Sequence, residues 1–306
     1  MLEHVYIKRH TSHAGKWIYE GYKNAWQSLG YTTHYYDRLV DIKTLNSDYY
    51  VMAIDADIKD NESLSVIQKS KKAFVYAQPN FFPSPWGMHP NFLCHCPESI
   101  IKVLNNTENV VLWSFGNIKQ QYHTKWKTVH TVPLAYDEQT YKPDQDKRYK
   151  FDVCFVGGWA NNGFDEKRKI MMEHFEAFKQ TDLKCGFFVN RNVSQEVENK
   201  LLYNSNVSIN IHDAYQRQLG LDTNERTFKS LGLNGLLISD DIKQIRDILP
   251  SQTVNIANTP IEMVDKVKHY VAMSDAEREE IKLKNRNFVL QNHCYKNRVQ
   301  TLLTLS

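Results

Sequence analysis

The stretch Phe151-Asp152-Val153-Cys154-Phe155-Val156-Gly157-Gly158 decides the fold. Before its glycines it is apolar at every position but Asp152, too short for a helix and too continuous for a half-exposed strand. It reads as a strand buried on both faces, the kind found in parallel sheets covered by helices. The glycines stand where such a strand turns towards its helix, a place where backbone can approach an anion. Downstream the pattern alternates: helix 165–179, strand 186–190, helix 193–203, strand 207–212, a polar loop, and a helix from about Asn224. Strand 236–239, helix 242–248, strand 254–257 and helix 261–272 continue it.

Upstream the same beat starts at the N-terminus. Residues 4–8 read as a strand, 10–15 as a loop, and a helix from Lys16 is closed by Gly30. Strands follow at 31–36, 49–54, 73–77, 110–113 and 128–132. The expectation is an α/β chain of two Rossmann-like, doubly wound domains facing each other across a cleft. The first spans 1–140, and a polar, proline-marked linker covers 141–150. The second spans 151–285, and a C-terminal helix at 286–306 packs back on the first.

Composition agrees. A length of 306 residues suits two domains, and 42% apolar with 12% aromatic content can fill two cores. The net charge of +3 is too small for a disordered chain and thin for dedicated binding of duplex nucleic acid. No apolar run approaches the ~18 residues of a membrane span. The opening MLEHVYIKRHTSH lacks the apolar centre of a secretory leader, so a cytoplasmic, reduced protein is expected. Of the five cysteines, Cys94 and Cys96 flank His95, but nothing nearby completes a tetrahedral set, and no metal is expected.

The halves differ in chemistry. Residues 1–150 carry 18 Lys/Arg against 15 Asp/Glu, and residues 151–306 carry 20 against 20, so the first half holds the whole positive excess. It also holds 8 of 12 histidines, 5 of 6 tryptophans and 13 of 17 tyrosines. That is either a face for a sugar or base or a tyrosine-rich core. Five of nine prolines fall in 79–97, an irregular segment of functional length carrying Phe81, Phe82, Trp86 and His89.

Two constellations in the second half carry chemistry. The pattern G-G-x4-G at Gly157, Gly158 and Gly163 is neither the dinucleotide fingerprint nor a P-loop, since Phe164-Asp165 replace the needed Lys and Ser/Thr. Hydride transfer and ATP hydrolysis are therefore disfavoured. Lys167 and Arg168 in the next helix's first turn oppose its dipole and point to an anionic guest or to solvated surface charge. The second constellation is Asp222-Thr223-Asn224-Glu225-Arg226-Thr227-Phe228-Lys229, a capped helix start with cations placed for a diphosphate. Arg226 in a structural salt bridge is the alternative.

Four segments, in order, resemble glycosyltransferases of the spore-maturation protein B (CgeB) type, a GT-B group related to the group-1 glycosyltransferases. Residues 151–158 with Arg168 are similar to that family's strand and following helical arginine. Asn224-x-Arg226-x-Phe228 with 235–240 resembles its N-x-R-x-F-E block, and His293-Cys294-Tyr295-x-x-Arg298 its closing helix. Residues 132–137 with Tyr141-Lys142-Pro143 resemble the stretch entering the linker. The likeness covers about residues 130–306. It implies transfer of a sugar from a nucleotide-diphosphate sugar to a hydroxyl acceptor, with no cofactor and no divalent metal. One departure stands out: retaining relatives carry an E-x7-E motif whose second glutamate contacts ribose, and Leu221 and Lys229 occupy those positions here. Retention or inversion is thus left open.

On this reading the donor is held by Gly157, Gly158, Arg168, Asn224, Arg226 and Lys229. His13 is the base for the acceptor hydroxyl, with His10 and Asp55 in reserve, and His10 and Trp86 meet the acceptor. A saccharide acceptor is favoured over a hydroxymethylated base in DNA. A nucleotide-sugar-binding protein without turnover and a non-hydrolysing epimerase are the rival classes.

Overall fold

The computed structural model describes residues 3–43, 48–84, 94–116, 119–159 and 166–306, with backbone only at His13, Lys119 and Gln120. Trp86, His89, Gly163 and Asp165 therefore lie outside the described residues. In chain order the elements are β1 (His4–Lys8), α1 (His13–Ser28), β2 (Thr32–Tyr36), β3 (Tyr49–Ile54), α2 (Asn61–Lys69) and β4 (Lys72–Tyr76). Then come α3 (Glu98–Leu104), β5 (Val110–Ser114), α4 (Lys119–Tyr122) and β6 (His130–Thr131). The second run is β7 (Val153–Gly157), α5 (Glu166–Lys179), β8 (Cys185–Val189), α6 (Gln195–Asn204), β9 (Val207–Asn210), α7 (Ala214–Leu219) and α8 (Glu225–Leu233). It closes with β10 (Leu237–Ser239), α9 (Lys243–Ile248), β11 (Val254–Ile256), α10 (Pro260–Ala272), α11 (Asp275–Asn292) and α12 (Tyr295–Thr304).

The chain divides into two compact units, Met1–Leu134 with Tyr295–Ser306, and Ala135–Cys294. These bounds differ from those read in the sequence. Residues 141–150 belong to the second unit rather than standing between the two, and the expected single helix at 286–306 is two helices. Of these, α11 stays with the second unit and α12 joins the first.

Among the described residues, the sheet of unit 1 runs β2-β1-β3-β4-β5-β6 and that of unit 2 runs β11-β10-β9-β7-β8, all pairs parallel. Counted within each unit, both orders begin 2-1-3-4-5, the flavodoxin-like doubly wound order. In such sheets ligands bind at the switch point, beyond the carboxyl ends of the first and third strands. That is β1/β3 in unit 1 and β7/β9 in unit 2.

Burial explains the continuous apolar runs: Val153, Cys154 and Phe155 of β7 are fully buried, as are Val51, Ala73, Phe74 and Val75 of unit 1, or nearly so. Much of the tyrosine excess goes into the core of unit 1, where Tyr22, Trp113, Tyr76 and Tyr295 form one set of ring contacts and Trp26, Tyr31, Tyr50 and Phe74 another. Helix α12 completes that core. A Cβ on Gly21 would come within 2.5 Å of Tyr295 Cε2, so glycine lets α1 and α12 meet closely. Arg298 then donates from Nε to Pro133 O (2.8 Å) and from Nη2 to Leu134 O (3.1 Å), fixing α12 to the end of the chain segment it rejoins.

Candidate nucleotide-sugar site

At the unit 2 switch point β7 delivers Gly157 and Gly158, and both glycines make room for protein side chains. A Cβ on Gly157 would lie 2.6 Å from Cζ of Arg226, and one on Gly158 would lie 2.8 Å from Cγ of Asn190. Asn190 follows β8 in the left-handed region (φ 49°), which asparagine tolerates better than most residues. Its backbone N–H donates to Gly157 O (2.8 Å), and its Oδ1 accepts from Trp159 N (3.1 Å). The turn is thereby pinned from the neighbouring strand.

Arg226, from the first turn of α8, crosses under this turn. Its Nε donates to Val156 O (2.8 Å), its Nη1 to Asn210 Oδ1 (3.0 Å), and its guanidinium lies over the Phe155 ring at 4.7 Å. Asn210, the last residue of β9, is fully buried and donates through Nδ2 to Asn224 Oδ1 (3.0 Å) and Thr227 Oγ1 (2.8 Å). Asn224 is the N-cap of α8, accepting from Thr227 N at 3.3 Å. Beneath it, His212 Nδ1 meets Asp240 Oδ1 at 2.6 Å, and its Nε2 meets Thr223 Oγ1 at 2.9 Å, all wholly buried. Burial would raise Asp240, but His212 and then Arg217, 3.4 Å away, hold its carboxyl below the usual range. This polar network fixes the start of α8 against the carboxyl ends of β9 and β10.

The cation that turns inward from α5 is Lys167. Its side chain is 10% exposed and stands 3.4 Å from Asp213 Oδ2. Burial, and Arg226 beside it, lower its pKa. Arg168 is exposed, with its guanidinium 5.8 Å from the Trp159 ring. Helix phase decides between them: the buried face of α5 is Lys167, Met171, His174 and Phe178, and position 168 falls off it. The sequence held that spacing, so this inward cation was there to be found. Lys229 is committed elsewhere, 2.6 Å from Glu198 Oε1 and over the Tyr141 ring at 4.9 Å. Glu225 beside it is pushed up to about 7, chiefly by burial, and its Oε1 has no hydrogen-bond partner among the described residues. Asn190, Asn210, Glu198 and the His212–Asp240 pair were not singled out beforehand. Each acts across the sheet, and no local spacing marks it.

In unit 1, His13 opens α1 after the N-cap Ser12, whose Oγ accepts from Gly15 N at 3.1 Å. His10 is half-buried, stacked on Tyr19 with ring centres 4.1 Å apart, and burial with Lys8 lowers it to about 4. Asp55 is fully buried just past β3 and raised to about 6, chiefly by burial. Phe82 packs on Tyr122, while Phe81 is exposed. Among the described residues no three His, Cys, Asp or Glu side chains come together to hold a metal, and no helix is long and apolar enough to cross a membrane.

The profile of the glycosyl transferase-like family matches residues 148–304, and the chain belongs to that family. No curated protein sequence matches it. Solved structures give the fold as GT-B. T4 phage BGT in complex with UDP-glucose aligns with TM-score 0.57 at 13% identity, over 99% of this chain and 100% of that one. Sucrose-phosphate synthase from Thermosynechococcus elongatus gives 0.57 at 9%, over 98% and 97%. An alpha-glucosyltransferase in complex with UDP and a 13-mer DNA containing an HMU base gives 0.58 at 11%, over 99% of each.

Proposed function

We propose that this chain transfers a sugar from a nucleoside-diphosphate sugar, held by unit 2, to a hydroxyl of a saccharide. The observation that carries the reading is the pairing of two cations, Lys167 and Arg226, at the unit 2 switch point. Only Asp213 lies within ion-pair distance of Lys167 among the described residues, and at 3.4 Å that contact is long. The carboxylates of Glu198, Asp213, Asp240 and Glu225 offset part of the charge on Arg226, and a diphosphate would offset more of the repulsion between the two cations. As the C1–O bond to the diphosphate breaks, the electron pair leaves with the phosphate, and these side chains stabilise it. The acceptor oxygen bonds C1 and its proton passes to a base, for which His13 is retained. The amides of Gly158 and of the α8 start, capped by Asn224, add donors on the same side. Arg168 and Lys229 drop out of the donor set, because one charge faces solvent and the other is paired with Glu198.

No metal is assigned to the step, although a structure of T4 phage BGT holds UDP and Mn2+. The test is a thermal-shift series with UDP, GDP, ADP and their sugars, followed by labelled-donor transfer with and without EDTA. Stabilisation by a diphosphate and EDTA-resistant transfer are expected. Activity abolished by chelator and restored by Mn2+ would remove the metal-independent part. Binding without transfer would favour a non-catalytic nucleotide-sugar-binding protein. A second acceptor reading, hydroxymethylated DNA, is favoured by the likeness to the DNA-bound alpha-glucosyltransferase. Transfer to such duplexes that falls steeply with salt would select it. The cytoplasmic setting belongs to the same proposal, and the five thiols are free.

A further inference from the structure

Unit 2 holds a cavity of about 420 Å³ well away from its switch point. It lies at the amino ends of β7 and β9, where Asn206 lines it and donates through its backbone N–H to Phe151 O (2.8 Å). Strand β7 is five residues long, so roughly 15 Å of strand separates this end from the glycine turn. The other wall is one face of α11, which presents Asp275, Arg278, Glu279 and Lys282 at helical spacing. Lys147 and Lys150 also line the cavity, giving four cations against two carboxylates.

Lys282 is the member that the fold alone does not explain. Its side chain is 3% exposed, yet its ammonium has weak company. It donates to Ser205 O (2.7 Å), a carbonyl that Asn234 Nδ2 already serves at 2.6 Å. Its other neighbour, Glu279 Oε1, is 3.4 Å away on a side chain 59% exposed. An ammonium has three N–H groups, and a buried charge is costly unless they are met. Burial pushes this one down to about 8; Glu279 opposes the shift, and Arg286 and Arg278 add to it. The surrounding cations are loosely balanced too. Lys150 reaches Asp275 only at 3.7 Å, and Arg286 lies over the Tyr203 ring at 5.3 Å. Arg278 is held by Tyr270 O, Met273 O and Asp275, so it contributes charge but few free donors. An anion is the guest that relieves this crowding, and the volume suits a small organic molecule rather than a bare ion. We propose that this cavity binds a small organic phosphate, its phosphate monoester on Lys282, Lys147 and Lys150 and its hydroxylated remainder beside Tyr203. The site is separate from that of the donor, and the proposal does not rest on the transferase reading.

The experiment titrates the full chain calorimetrically with glucose 6-phosphate, glucose and inorganic phosphate at constant ionic strength, each with and without saturating UDP. Glucose 6-phosphate is expected to bind at one site, more tightly than either fragment, with an affinity that UDP leaves unchanged. Lys282→Met should weaken it about tenfold, the scale of one hydrogen bond to a charged group. Lys282 is buried, so a second variant guards against a folding defect: Lys147→Gln with Lys150→Gln alters two exposed side chains. That pair should weaken glucose 6-phosphate about threefold and leave UDP affinity as it was. No saturable binding of the sugar phosphate, its displacement by UDP, glucose or inorganic phosphate bound as tightly, or affinity indifferent to both variants would each overturn the proposal.

Discussion

Replacing Lys167 by methionine separates a functional lysine from a structural one, because the two roles predict opposite signs. In the free protein the ammonium is 10% exposed and 3.4 Å from Asp213, against about 2.8 Å for a well-made charge-assisted bond. Its stem packs on the same face of α5 as Met171, which methionine can imitate. Removing one partner of a fully buried pair costs ~3–5 kcal/mol, but burial penalises this ammonium more than Asp213 repays, as its lowered pKa shows, so an apolar side chain relieves a net penalty. Asp213 is left behind but is 31% exposed and can hydrate, so a gain of ~1 kcal/mol is expected. For a unit of this size that is a rise of ~2–4 °C in Tm. Donor binding moves the other way. Losing one charge-assisted contact of ~2 kcal/mol weakens UDP about 30-fold. At a UDP concentration of ~100 times the parent Kd, ligand stabilisation falls from ~2.7 to ~0.9 kcal/mol. Differential scanning fluorimetry with and without UDP reads both effects on one sample. A variant that melts lower than the parent yet keeps the full UDP shift would show that Lys167 merely supports the fold.

Arg226→Ala removes two hydrogen bonds and a cation–π contact, so it should cost ~3 kcal/mol or more in urea unfolding as well as UDP affinity. If stability falls and calorimetric affinity for UDP does not, the arginine is only a strut. Gly158→Ala should destabilise by ~1–3 kcal/mol through overlap with Asn190, and adding Asn190→Ala should recover part of that loss. Full cost in the double variant would mean the glycine answers to backbone conformation instead. Glu225→Gln addresses pH. The folded carboxyl titrates near 7 against an ordinary 4.5, so the native state holds the proton more tightly and loses stability as pH rises between those values. After allowance for partial exposure, the amide variant should be ~1–2 kcal/mol more stable than the parent above pH 7 and equal to it below about pH 4.5. A pH-independent difference would place the effect in packing.

What the sequence disclosed and what it withheld follow from the range of the interactions. Residues 49–54 are a strand as expected, because a strand buried on both faces writes itself as an uninterrupted apolar run, and 4–8 is one through alternation, with Val5 and Ile7 buried between less buried neighbours. The second strand–helix series also lies within a few residues of its expected bounds; α7, inside the supposed polar loop, is the exception, since six residues around Tyr215 and Leu219 carry too little period to see. The break after Asn292, which sends α12 to the other unit, has neither glycine nor proline to announce it. The site is legible to a lesser degree for the same reason. Arg226 and Asn224 belong to one helix start and could be read locally. Asn190 reaches the glycine turn, and Asn210 that helix start, only because β8 and β9 flank β7, a fact of strand order that no short window contains. The glycines are the sharpest instance. Their place before a helix pointed to an anion touching bare backbone, whereas here Gly157 yields its space to a guanidinium and Gly158 to an amide. An anion at this turn would therefore meet the Arg226 charge as well as main-chain N–H groups, which is why Lys167, beside that guanidinium, is the residue whose removal tests the site most cleanly.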